Sequence, residues 1–435
     1  MTGMTISLPR SLADAAGHPV VRALSVATLV NTVGNGLLMT TGALMFTRVV
    51  GLTASQVGLA LTLGGVFGIV SGIPLGRIAD RFGARPTVVA LLAVQAVLVL
   101  GYTQVHSFWT ALPLICAVMF VDRGESAVRG ALIATALPPD RRVPGRAFLR
   151  SVTNVGISLG AVLASLALVA DTPGAYRAVV VADAATFLVA ALLLLRVPAL
   201  KAGGGERTPG RGFGALADAP YLLITALAGA LVMLQGVLEI GLPLWVTDRT
   251  HAPRALIAGA MLLNTVMVVL LQVRLSKGSG DPARAARLAL RAGVLIAVGC
   301  VLLGLTEGLS AWAATALVLV AVAVMTVGEM LGAAGSWALG FDLADERAQG
   351  VYQGVFNTGF AAGLVLGPLV VTRTALRFGL TGWLVLGGIF LVTAVAFVPA
   401  TRWAVATRPS PATGPAPDDE TTGDEAVATV GEPGA

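Results

Sequence analysis

Charge is scarce in this chain. Only 12% of its 435 residues are Asp, Glu, Lys or Arg and 56% are hydrophobic, against roughly 25% charged in an ordinary soluble domain, so a soluble fold is excluded. The two cysteines, Cys116 and Cys300, fall far apart and inside apolar runs, which argues against a disulfide framework. The histidines His18, His106 and His251 stand alone in or near polar segments, and no H-E-x-x-H is present, so a membrane zinc enzyme is disfavoured. Lysine is almost missing. Lys201 and Lys277 precede Ala202 and Gly278, so no phosphate-cradling loop ending Gly-Lys-Ser/Thr exists to drive primary ATP-powered transport. No filter or ring motif indicates a channel, and no enzymatic activity, metal or cofactor is expected.

What fills the chain is long apolar runs, such as Thr87 to Tyr102 and Ala311 to Met325. They are too long and too uniform for the alternating, roughly ten-residue segments of a membrane β-barrel. At about 20 residues per span the apolar content suffices for roughly twelve helices. Charged and Pro/Gly punctuation places them at 20–48, 55–78, 86–105, 108–137, 147–170, 176–197, 220–246, 255–274, 288–306, 311–340, 350–372 and 381–403. The expected fold is therefore an all-α integral membrane protein of twelve transmembrane helices.

Residues 1–19 read as an N-terminal segment without a cleavable leader, because no short apolar stretch precedes a cleavage site. Residues 198–219 include KAGGGERTPGRGFG, a Gly-rich linker that divides bundles at 20–197 and 220–403. Residues 404–435 form an acidic tail of disordered composition. Twelve spans put both ends on one side. The segments on that side hold 21 of the 29 basic residues, the other side holds six, and Arg123 and Arg129 fall within a span. The positive-inside rule then makes the termini cytoplasmic in a cell-membrane protein surrounded by lipid. The same distribution explains the basic balance without nucleic acid, since the arginines sit in short loops.

The halves also repeat each other. A shift of 200 places Gly36, Leu38, Leu44, Thr47, Ala60 and Leu75 on Gly236, Leu238, Leu244, Thr247, Ala260 and Leu275. A shift of about 203 places Trp109 on Trp312, Asn154 and Gly156 on Asn357 and Gly359, and Gly160 on Gly363. One step more places Gly124-Glu125 on Gly328-Glu329. Such an offset marks two parallel, pseudo-symmetric six-helix bundles with a site between them.

At the end of span two stands Gly76-Arg77-Ile78-Ala79-Asp80-Arg81-Phe82-Gly83-Ala84-Arg85. This resembles the G-x-x-x-D-R-x-G-x-R loop of the major facilitator superfamily, and length, span number and parallel repeats agree with that family over residues 20–403. The glycines permit tight turning and close helix approach, while Asp80 can accept from arginines or from the start of another helix. The resemblance implies a conformational latch at Gly76, Asp80, Arg81, Gly83 and Arg85 that favours the outward-facing state. The corresponding second-half stretch, Ser276 to Asp281, lacks the pattern, so the latch is one-sided.

Seven charges fall inside spans and away from the span ends: Asp122, Arg123, Glu125, Arg129, Asp183, Glu239 and Glu329. Each is costly in lipid and should face protein or a watery cavity. Asp122, Glu125 and Arg129 share one helical face, and Glu125 to Arg129 is a favourable i, i+4 pair. Glu125 and Glu329 lie at similar depth, about 25 Å along their spans. The family resemblance implies that spans one, four, seven and ten line the cavity. On that basis Asn31 and Asn35 are cavity polar candidates, and Asp122, Arg123, Glu125, Arg129, Glu239 and Glu329 are proton-coupling or substrate candidates. Arg123 resembles the membrane arginine of proton-coupled exporters. Asp183 is expected to be scaffold. Gly156 and Gly160, with Gly363, Gly367 and Pro368, mark close helix packing; the first pair stands where the family's antiporter motif falls but lacks its proline. Trp245, Trp312 and Trp383 are expected to anchor at the interface.

The expectation is a monomeric secondary active transporter exporting a small amphipathic or drug-like molecule in exchange for protons. Proton-coupled uptake of a small metabolite, or a membrane sensor or scaffold on the same fold, are the alternatives.

Overall fold

Twelve long helices account for almost all of the described residues, 19–196, 214–277 and 280–408 of a computed structural model. The N-terminal segment up to residue 18, the Gly-rich stretch 197–213 and the acidic tail from 409 lie outside the described residues. In the first half α1 is Pro19–Leu44, continued by a π turn Met45–Val49, followed by α2 Ala54–Phe82, α3 Ala84–Gly101, α4 Phe108–Ala136, α5 Pro139–Ala170 and α6 Pro173–Leu194. In the second half α7 is Ala219–Arg249, followed by α8 Ala255–Leu275, α9 Pro282–Gly304, α10 Ala311–Asp342, α11 Gln349–Arg373 and α12 Ala375–Ala406. Eleven of these are long and apolar enough to cross a membrane. The remaining one, α4, has 29 residues but carries four charges.

Local chemistry sets the boundaries. Thr53 with Gln56 and Ser107 with Thr110 close reciprocal caps at the starts of α2 and α4. Thr172 and Asp281 cap α6 and α9 just before Pro173 and Pro282, where a missing N–H costs nothing. Gly83 takes φ 96° and stops α2, a conformation other residues rarely adopt.

Helix packing repeats with a shift of six helices. In the first half α1 packs on α5 and α6, α4 packs on α2 and α3, and α3 packs on α6. In the second half α7 packs on α11 and α12, α10 packs on α8 and α9, and α9 packs on α12. The halves meet where α11 crosses α2 and α4, and where α5 crosses α8 and α10, each crossing the mate of another. An apparent two-fold axis thus runs between two parallel bundles, as the sequence repeat predicts.

Small residues let the halves touch. A Cβ on Gly72 of α2 would stand 2.6 Å from the Gly354 carbonyl of α11, and one on Gly76 would meet Gly350. Within the halves Gly160 lies against Gly36, and Gly363 and Gly367 lie against Gly229 and Gly236, so the α1–α5 and α7–α11 contacts are pseudo-symmetric. Gly156 meets Thr32, and Pro368 sits inside α11 against Gly236.

Two expectations need correction. Span five starts at Pro139, eight residues earlier than its sequence suggests, because Pro139 opens the helix and Pro144 is tolerated near its start. Arg146 is therefore a helical rather than a loop residue, and Arg150 lies about three turns into the helix instead of at its first turn. Trp245 and Trp383 are fully buried and pack edge to face at 5.5 Å. The Trp245 indole donates to the Leu303 carbonyl at 3.1 Å and to Thr306 Oγ1 at 2.9 Å. This pair forms core, and of the three tryptophans Trp312 alone is exposed.

Overpacking the α2–α11 crossing with Gly354→Leu should weaken closure between the halves by about 1–3 kcal/mol. A cysteine introduced at Thr358, on the same seam, should then react faster with a water-soluble maleimide than it does without the leucine; unchanged labelling contradicts the crossing as a closure.

Candidate functional site

A cavity of about 670 Å³ lies between the halves, walled by α1, α2, α4 and α5 on one side and by α7, α8, α10 and α11 on the other. Asn35, Asp122, Arg123, Glu125, Arg129, Glu239 and Glu329 all line it. Asn31 does not. It is buried inside the first half, sharing a small void with Glu125 and Arg129, because it lies about 100° round α1 from the wall-facing Thr32. Asp183 is also outside the cavity, 1% exposed against Gly34 of α1, and neither carboxylate oxygen has a hydrogen-bond partner.

Four carboxylates meet four arginines in the cavity, but the pairings differ in kind. Asp122 and Arg123 are neighbours on α4, 3.8 Å apart and both roughly half exposed. Glu125 and Arg129 form a forked pair one helical turn apart, with Arg129 Nε donating to Oε1 at 3.0 Å and Nη2 donating to Oε2. Both partners ride on α4, so this pair moves as a unit.

Glu329 is held otherwise. Its Oε1 accepts from Arg150 Nη2 of α5 and from Gln235 Nε2 of α7 at 2.8 Å, and its Oε2 accepts from Asn264 Nδ2 of α8 at 3.1 Å. The arginine belongs to the first half and the other three groups to the second. An ion pair in low dielectric therefore spans the seam. Glu239, on a π turn four residues on from Gln235, remains exposed in the same cavity.

Arg146, one turn before Arg150, enters the seam as well. Its guanidinium carbon stands over the rings of Trp337, Phe341 and Phe356 at 5.1, 5.5 and 5.9 Å. Its Nη1 donates to Gln353 Oε1 at 3.3 Å. Arg146, Arg150, Gln235 and Asn264 escape a reading of the sequence, Arg146 because Pro-Pro-Asp-Arg-Arg-Val-Pro-Gly-Arg has the composition of a loop and Arg150 because it then falls at the very start of a span, among the loop-side charges. One available signal was the 200-residue shift of the repeat, which sets Gln235 opposite Asn35.

On the face where α2 ends and α11 starts, Asp80 Oδ1 accepts the Gly350 backbone N–H at 2.6 Å and Oδ2 accepts that of Val351 at 2.9 Å. These are first-turn N–H groups that the helix cannot satisfy itself, and the carboxylate also meets the positive end of the α11 dipole. Arg85 does not reach across. Its guanidinium caps α6 within the same half, Nε donating to the Leu194 carbonyl at 3.1 Å. Arg81 is exposed beside Phe82, 5.2 Å from its ring. Ser151 Oγ to the Val268 carbonyl and Thr358 Oγ1 to the Ile69 carbonyl add further bonds between the halves. At the opposite ends of the helices, Arg48 pairs with Asp171 and Arg249 with Glu307, each pair inside one half.

Residues 24–368 match the sequence profile of the Major Facilitator Superfamily. The chain belongs to that superfamily. It is a multi-pass membrane transporter for small molecules and not an enzyme. Among curated relatives, a protein named multidrug resistance protein MdtH from Klebsiella pneumoniae (strain 342) is 28% identical over 363 residues, covering 81% of this chain and 87% of the relative. Among solved structures, a bacterial homologue of the iron transporter ferroportin in an outward-facing state superimposes with TM-score 0.70 at 12% identity, covering 89% of this chain and all of that one. The fucose:proton symporter of E. coli gives TM-score 0.67 at 16% identity, covering 88% and 98%. At these identities the structural likeness establishes the fold alone.

Removing one member of the seam pair strands the other in low dielectric, at a cost of roughly 3–5 kcal/mol. Arg150→Gln and Glu329→Gln should each lower thermal stability, while the double variant should recover part of the loss. Strict additivity in this cycle contradicts a direct interaction.

Proposed function

We propose that this transporter exports amphipathic small molecules from the cell in exchange for protons, with both termini in the cytoplasm and the monomer as the working unit. The observation that carries the reading is the Glu329–Arg150 pair, a protonatable group whose charge bridges the halves beside the substrate-sized cavity. The relatives named for multidrug resistance support export as the direction. Removing Arg146 and Arg150 from the loop set leaves the basic bias toward the terminal side intact, which supports cytoplasmic ends.

The seam bonds of Asp80, Arg146, Arg150 and Ser151 close the terminal side, so the cavity opens to the other face. A proton arriving from outside reaches Glu329 through the cavity. Neutral Glu329 no longer holds the Arg150 cation, and the terminal side is released to open. Asp80 on the α11 N-terminus acts as the latch that restores closure, with Gly76 allowing the approach and Gly83 and Arg85 fixing the loop against α6. Glu125 and Arg129, Asp122 and Arg123, Glu239 and Asn35 shape the field of the cavity around the substrate. Once substrate has entered from the cytoplasm and the proton has left, the pair re-forms and the cycle returns to the closed seam.

Inside-out proteoliposomes with an imposed pH gradient, acid inside, should accumulate radiolabelled aryl amphiphiles. Accumulation should depend on that gradient and fall about tenfold or more in Glu329→Gln. Equal accumulation with and without the gradient in the wild type would defeat proton exchange, and undiminished coupling in Glu329→Gln would remove that residue from it.

A further inference from the structure

Among the arginines that line the cavity, Arg146 differs from the rest. Arg123, Arg129 and Arg150 each stand beside a carboxylate, Asp122, Glu125 and Glu329 respectively. Arg146 has no carboxylate within ion-pair reach among the described residues; one amide oxygen, Gln353 Oε1 at 3.3 Å, is the acceptor it meets. A guanidinium carries five N–H donors, so most of its hydrogen-bonding capacity is unspent. It sits deep in the seam, against rings that are almost fully buried. Ring faces attract a cation, but they neutralise no charge and recover only part of the lost hydration.

The cavity wall continues this chemistry. Trp337, under the Arg146 guanidinium, lines the cavity together with Phe360, whose ring leans toward Phe356 at 6.4 Å. The volume, about 670 Å³, suits a compact organic ligand. A cation short of a counter-charge beside aromatic surface is complementary to a carboxylate or sulfonate borne on an aryl body, which a guanidinium grips through two parallel N–H···O bonds.

We propose that Arg146 anchors the acidic group of the transported molecule, so that the preferred substrates are aromatic organic anions. The inference rests on the cavity being the transport site. It adds a specificity-determining residue that contacts substrate to a seam in which Arg150 serves closure. Because the three rings come from α10 and α11 and Arg146 comes from α5, opening of the seam on the terminal side separates the cation from its rings and presents it to an incoming anion. Closure returns the rings to the guanidinium and favours release toward the other face.

Three near-isosteric probes that differ in charge test this: 2-naphthoate, 2-naphthamide and 2-naphthylmethylammonium. Their binding is measured calorimetrically on the full-length protein in lipid nanodiscs, with no pH gradient. The wild type should bind the acid roughly tenfold or more tighter than the amide and should disfavour the amine. Arg146→Gln should collapse the acid-to-amide ratio toward one, and Arg146→Lys should retain part of it, since the charge remains without the fork. Equal affinities for acid and amide in the wild type overturn the proposal, as does failure of the acid to bind, and so does a ratio that survives in Arg146→Gln. The wild-type ratio needs no variant, so a misfolded variant cannot conceal the answer. Loss of proton-driven flux would defeat the export reading and leave this ratio standing, whereas equal affinities defeat the anion anchor alone.

Discussion

A charge inside a membrane protein is held at least cost beside a counter-charge, and Glu329 takes its cation from the other half of the molecule. Gln235 and Asn264 fix the carboxylate from the second half, and Arg150 arrives from the first. The attraction is strong because the dielectric is low, and for the same reason either charge left alone would be costly. In the proposed cycle, closure of the seam is tied to this one pair. Asp80 on the first turn of α11 and the glycine crossing of α2 and α11 then set how closely the halves can approach.

The pseudo-symmetric frame makes the contrast between the two glutamates informative. Glu125 and Glu329 are repeat mates at similar depth, each near a side-chain amide of α1 or α7, Asn31 and Gln235. Glu125 is neutralised by its own helix through Arg129, so its pair survives a rocking of the halves unchanged. Glu329 is neutralised across the seam, so its pair does not. Two equivalent positions therefore divide into a pair held within one half and a pair held between the halves, and the proposed cycle gives the second the role of closure sensor. An alternating cycle needs the second kind, because only a contact that differs between states can shift the balance between them.

Much of the fold was legible in the sequence because the bilayer imposes simple rules. Apolar runs located the twelve helices, the repeat located the two halves, and Asp80 in its glycine-bounded loop left two partners open, arginines or the start of another helix, of which the structure shows the second. The i, i+4 spacing of Glu125 and Arg129 gave their pairing. What stayed hidden was of two kinds. Arg146 ends a proline-rich, charged stretch whose composition reads as loop but which folds as the opening turns of α5, and that misplaced start put Arg150 at the edge of the span. Gln235 and Asn264 are uncharged, so a search for costly intramembrane charge passes over them. Trp245 and Trp383 were misplaced because tryptophan near a span end can also serve as core: the Trp245 indole donates to the Leu303 carbonyl, and Trp383 packs edge to face against it. Asn31 misled because membership of a cavity-lining helix does not say which face of that helix meets the cavity.

The most direct test of the seam pair as the closure sensor is a distance across it. With Cys116 and Cys300 replaced by alanine and spin labels at Arg141→Cys and Arg274→Cys, the terminal ends of α5 and α8 can be followed by electron double resonance. The wild type should show one short, narrow distance, and Glu329→Gln should add a longer population. A distance distribution unchanged by the substitution would contradict the account.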